Sequence, residues 1–79
     1  MARPLHQIAE EIRREWIRPY FAAEPYLAAM GEVTHISDRY GADSARSVVL
    51  YFLCNAKTWR GPAARRIKQE LKQILSETK

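Results

Sequence analysis

General acid–base chemistry needs two carboxyl groups converging on one bond, and the nearest thing to such a pair in this chain is Glu10 beside Glu11. Neighbours on a helix point about 100° apart, so these two describe a solvated face rather than an acid and a base. Metal chemistry needs clustered donors, but His6, His35 and the single cysteine, Cys54, are far apart in sequence and make a poor set for zinc. Ser37, Ser44, Ser47 and Ser76 lack the context of an activated nucleophile, and three scattered glycines form no phosphate loop. The expectation is a non-enzyme with no catalytic residue, metal, cofactor or small-molecule substrate. What remains is cationic. Lys57, Arg60, Arg65, Lys68 and Lys72 carry the one chemistry that recurs, neutralisation of phosphate or carboxylate on a macromolecular partner.

Charge is unevenly divided along the 79 residues. Residues 1–40 hold five basic side chains against six acidic, a net of −1, whereas residues 41–79 hold eight against three, a net of +5. The whole excess of +4 thus belongs to the second half, which points to a negatively charged partner without choosing between a nucleic-acid backbone and an acidic protein surface. No run of about 18 apolar residues exists to span a bilayer, and the N-terminal stretch lacks the apolar core of a secretory signal. A cytoplasmic protein is expected. With one cysteine, an internal disulfide is impossible, and the apolar neighbours of Cys54 suggest a buried, inert thiol.

Positioning these groups falls to helices, chief among them the segment around Val48–Leu53. Ala45, Val48, Val49, Phe52, Leu53, Ala56 and Trp59 recur at the spacing of one helical face. Leu50, Tyr51 and Cys54 lie on the other side, so the helix is expected to be central and enclosed, its extra apolar face covered by another helix or by a second copy of the chain. Before it, residues 4–17 place Leu5, Ile8, Ala9, Ile12 and Trp16 on one stripe, ended by Pro19. Residues 25–40 read as a second helix, opened by Pro25, with Tyr26, Met30, Val33, Ser37 and Tyr40 inward and Gly41 as its left-handed terminator. Asp43 or Ser44 caps the third helix, 44–59. The corner Arg60-Gly61-Pro62 then opens a fourth, 62–76, with Ala64, Ile67, Leu71, Ile74 and Leu75 inward. The expected fold is all-α, one compact four-helix domain around an apolar third helix.

The connector Pro19-Tyr-Phe-Ala-Ala-Glu-Pro25 is aromatic for a loop. Tyr20 and Phe21 are expected to fold back on the core beside Trp16; the competing reading makes them an exposed anchor for a partner. On the fourth helix, Arg66 can neutralise Glu70 one turn away, whereas Arg65, Lys68 and Lys72 have no acidic relief along their row. Lys57 and Arg60 extend that row at the corner. It can dock on an acidic protein surface, or the helix-turn-helix around Arg60-Gly61-Pro62 can present it to DNA or RNA phosphates. Against base reading in the usual way, the start of that helix is Pro62, Ala63 and Ala64. The plainest alternative is a solubilising face.

The motifs Pro19-Tyr20-Phe21, Pro25-Tyr26-Leu27, Tyr40-Gly41, Asp43-Ser44-Ala45, Tyr51-Phe52-Leu53, Trp59-Arg60-Gly61 and Ala64-Arg65-Arg66-Ile67-Lys68 resemble a family of short proteins encoded by bacteriophages and prophage-like regions of Gram-positive bacteria. The resemblance spans nearly the whole chain and brings no catalytic residue. It implies a setting in which small proteins act by binding a host or phage macromolecule, including inhibition of a host protein.

Overall fold

The computed structural model describes residues 3–77, which form four helices and one short hairpin: α1 (Leu5–Glu15), α2 (Glu24–Met30), β1 (Arg39–Tyr40), β2 (Asp43–Ser44), α3 (Ala45–Cys54) and α4 (Pro62–Glu77). The inward stripe of α1 is as its spacing predicts, with Leu5, Ile8, Ala9 and Ile12 buried and Trp16 sealing the end. The helix is shorter than 4–17, and Ile17 is 84% exposed. The first amide of α1 finds its partner outside the helix, Leu5 N–H donating to Thr34 O at 2.9 Å.

The second helix departs furthest from expectation, ending at Met30 rather than near residue 40. Its pattern continues in burial but not in backbone. Met30, Val33 and Ile36 are buried, while Ser37 and Tyr40 are exposed. The cause is competition for amides: Thr34 and His35 N–H both donate to Asp38 Oδ2 at 2.9 Å, so a side chain takes donors that a continuing helix would give to its own carbonyls. β-Branched Val33, Thr34 and Ile36 after Gly31 add little helical preference to resist it. Arg39 then pairs with Ser44 and Tyr40 with Asp43, antiparallel, and the fold is helical with a hairpin rather than purely all-α. Gly41 has φ 62, the left-handed backbone expected of it, but as the first residue of a two-residue hairpin loop and not as a helix terminator.

Ser44 caps α3, its Oγ accepting from Ser47 N–H at 3.1 Å. Ala45, Val48, Val49 and Phe52 are buried, and α3 stops at Cys54, where Asn55 N–H donates to Tyr51 O at 3.1 Å and Phe52 O at 3.0 Å. Ala56 and Trp59 nonetheless reach the core from the following turn. The enclosure expected for α3 is not complete. Leu50, Tyr51 and Cys54 are exposed, and the Tyr51 ring meets Tyr26 of α2, centroids 5.5 Å apart. On α4 all five expected inward residues, Ala64, Ile67, Leu71, Ile74 and Leu75, are buried.

Candidate macromolecule-binding site

The corner that carries the basic residues is set by one aromatic wedge. Trp59 is 4% exposed and stacks on Trp16, centroids 5.4 Å apart and planes 9° from parallel, while Trp16 meets Phe52 edge-on at 6.2 Å. That arrangement answers the question of the connector. Trp16 is covered by Trp59 and Phe52, so Tyr20 and Phe21 do not cap the core: Phe21 is 79% exposed, and the two rings contact each other edge-on at 4.9 Å. The favoured expectation of burial is thus overturned for both.

From Trp59 the chain turns through Gly61, whose φ of 115 suits glycine and strains any other residue, and α4 begins with Arg65 N–H donating to Gly61 O at 3.0 Å. Lys68 ties the helix back to the corner, its Nζ donating to Trp59 O at 2.6 Å. Arg60, Arg65 and Lys68 then line one shallow depression of about 270 Å³ with Trp59, Gly61 and Ala64. Lys72 is exposed one turn beyond Lys68, and Lys57 is exposed on the preceding turn but outside the depression. Burial pushes the Lys68 ammonium below its ordinary pKa, and the charges of Lys72 and Arg60 push in the same direction. The nitrogen is thus in a field of like sign.

The opposite flank of α4 is electrically quiet. The Arg3 guanidinium grips Glu70 through two bonds, at 2.7 and 2.9 Å, and lies 2.8 Å from Glu11, which in turn pairs with Arg66. Two guanidinium groups and two carboxylates neutralise one another. The hydrogen bond from Arg66 is the main reason the Glu11 carboxyl is held below the usual range, and the one from Arg3 adds to it against the cost of burial. The expected Arg66–Glu70 pair is replaced by this longer-range set, because α1 brings Glu11 to Arg66 and Arg3 takes Glu70. Arg13 and Arg14 also meet carboxylates, at 2.7 and 3.8 Å from Glu24 and Glu10. Among the described residues, Lys57, Arg60, Arg65, Lys68 and Lys72 meet none. A wider hollow of about 580 Å³ lies on the quiet flank, but its charged lining is mostly this saturated set.

Between the flanks runs a crest that the charge pattern alone does not mark. With about 100° between residues, the line opposite the buried stripe of α4 carries Gln69, Gln73 and Ser76, all exposed. The signal was available in the spacing, as the complement of the apolar face. No family model matches the chain, and no curated protein or solved structure matches it.

Proposed function

We propose that this chain is a non-enzymatic binding protein whose basic flank, Lys57, Arg60, Arg65, Lys68 and Lys72, engages a polyanionic macromolecule. The observation that carries the reading is clustering: Arg3, Arg13, Arg14 and Arg66 are matched with carboxylates, while these five cations, gathered on one corner and the helix flank after it, meet none among the described residues. An acidic protein, including a host protein that the chain would inhibit in a phage or mobile-element setting, is one such partner. Nucleic acid suits the surface better, because protein interfaces are usually anchored by aromatic or apolar residues at their centre, and Lys57, Arg60, Arg65, Lys68, Gln69, Lys72 and Gln73 supply none.

Retention on heparin and binding to duplex DNA and to poly-glutamate, titrated with salt from about 50 to 200 mM, test the reading. Arg65→Glu with Lys72→Glu should abolish retention while leaving the helical circular dichroism intact, since both side chains are exposed. Lys68 is left alone in that pair because it also holds Trp59 O. A wild-type chain that ignores all three polyanions at about 50 mM salt sinks the proposal.

A further inference from the structure

We infer that α4 is a groove-reading helix: its crest enters the major groove of B-form DNA, with Gln69 and Gln73 facing base edges and Arg65, Lys68 and Lys72 facing the phosphates of one strand. The inference rests on the polyanion reading above and goes further, because it assigns the crest as well as the flank.

Three features of α4 carry it. The helix has 16 residues, about 24 Å, and its crest is exposed. A major groove about 12 Å wide admits such a helix, whereas the narrow major groove of A-form RNA does not. The crest residues are uncharged hydrogen-bonding groups, and a glutamine amide matches the N6 and N7 of adenine with a donor and an acceptor at once. Gln69 and Gln73 are one turn apart, about 6 Å along the axis, so they address positions about two base pairs apart. Along the flank, Arg65 to Lys72 covers about 10 Å, room for roughly three phosphates of one strand.

The charge map also orients the helix. The flank of Arg66 and Glu70 is neutralised through Arg3 and Glu11, so it offers the second strand little attraction. Docking is therefore tilted toward the strand beside Arg65. Glu77 at the far end of α4 is exposed and would repel phosphate, which ends the footprint near residue 73. Pro62, Ala63 and Ala64 at the start of the helix then need only pass the backbone, with Arg60 beside them, and the base readers come two turns later than in a usual recognition helix.

The test is selection of a randomised duplex pool on the immobilised full chain, followed by fluorescence anisotropy with the enriched duplex, a scrambled duplex and poly-glutamate. Enrichment of adenines about two steps apart is expected, with a preference of about 5- to 100-fold over the scrambled duplex. Gln69→Ala with Gln73→Ala should erase that preference and leave scrambled-duplex affinity within about twofold, since phosphate contacts persist and alanine favours the helix. Glu77→Gln should tighten both duplexes. No enrichment, or a preference that survives the double glutamine variant, overturns the crest assignment while DNA binding itself upholds the polyanion reading. Binding to poly-glutamate without duplex binding overturns it as well and leaves an acidic protein as the partner. If no polyanion binds, both readings fall together.

Discussion

Lys68 meets two opposing demands at one nitrogen. Its ammonium closes the corner by donating to Trp59 O, yet it does so half-buried, with Arg60 and Lys72 adding repulsion and no carboxylate nearby among the described residues. Its folded pKa is therefore depressed, and for a cationic group that means the charged form is held less well in the folded chain than in the unfolded one. The penalty is fully present at neutral pH and is relieved as pH rises through the lowered folded value toward the ordinary one near 10.4. Lys68→Met removes the charge with its methylene stem largely preserved, at the expense of one unpaired carbonyl. The expected outcome is a change in urea midpoint at pH 7 equivalent to no more than about 1 kcal/mol in either direction. Wild-type stability should then gain on the variant as pH rises toward the ordinary lysine value near 10.4. Paired urea titrations across that range check it, and a difference independent of pH would mean that Lys68 is not held in a desolvated, like-charged setting.

At the scale of elements, the helix starts legible in the sequence are those where apolar spacing and terminal residues agree, whereas α1 and α3 end before the expected residues 17 and 59. Pro4 before α1, Ser44 at the cap of α3 and Pro62 at the first turn of α4 are each signals a neighbouring apolar stripe confirms. The second helix ends earlier than its spacing predicts because Tyr26, Met30, Val33, Ser37 and Tyr40 keep a helical period in sequence, whereas the event that ends it is a contact of Asp38 with amides three and four residues back. Periodicity records which residues face the core, and Met30, Val33 and Ile36 do; it does not record how the backbone satisfies its donors. The same aspartate anchors the hairpin, since Asp38 O accepts from Ala45 N–H at 2.8 Å, while Thr34 O ties the segment to α1. Bonds from His35 and then Thr34 N–H hold the Asp38 carboxyl below its usual range. For a lowered carboxyl the stabilisation is present above the unfolded value, near 3.9, and is lost as pH falls through the folded one. Asp38→Asn keeps an acceptor oxygen but cannot ionise, so it should lower the urea midpoint at pH 7 and flatten the fall in stability as pH drops below the ordinary aspartate value near 3.9. An acid limb as steep as that of the wild type would assign the loss to other carboxyls, Glu11 first among them.

For the molecule as a whole, the sequence revealed where the excess charge lies but not how it is balanced. The split of −1 against +5 is a count, and only the packing of α1 against α4 shows Glu11 spent on Arg66 and Glu70 on Arg3. Those pairings keep Glu11 and Glu70 from relieving the basic flank. Such a surplus has a thermodynamic sign that can be read without any partner. Added salt weakens exposed ion pairs, which destabilises, and screens the repulsion among Arg60, Arg65, Lys68 and Lys72, which stabilises. The screening length falls from about 30 Å at 0.01 M to about 8 Å at 0.15 M, comparable to the spacing of residues a turn or two apart on α4. The ion pairs at Arg3, Arg13 and Arg66 are the same in the wild type and in Arg65→Glu with Lys72→Glu, so their contribution cancels in the comparison. Each reversal changes the charge by two, and the variant is neutral where the wild type carries +4. The wild type should therefore rise in melting temperature relative to the variant by about 2–4 °C over that salt range, the size expected from relief of one or two like-charge neighbours in a chain this short. Thermal melts of both chains at a series of salt concentrations measure it. Parallel salt dependences would mean that the row is too dispersed to repel itself, and a row that dispersed could not gather phosphates either.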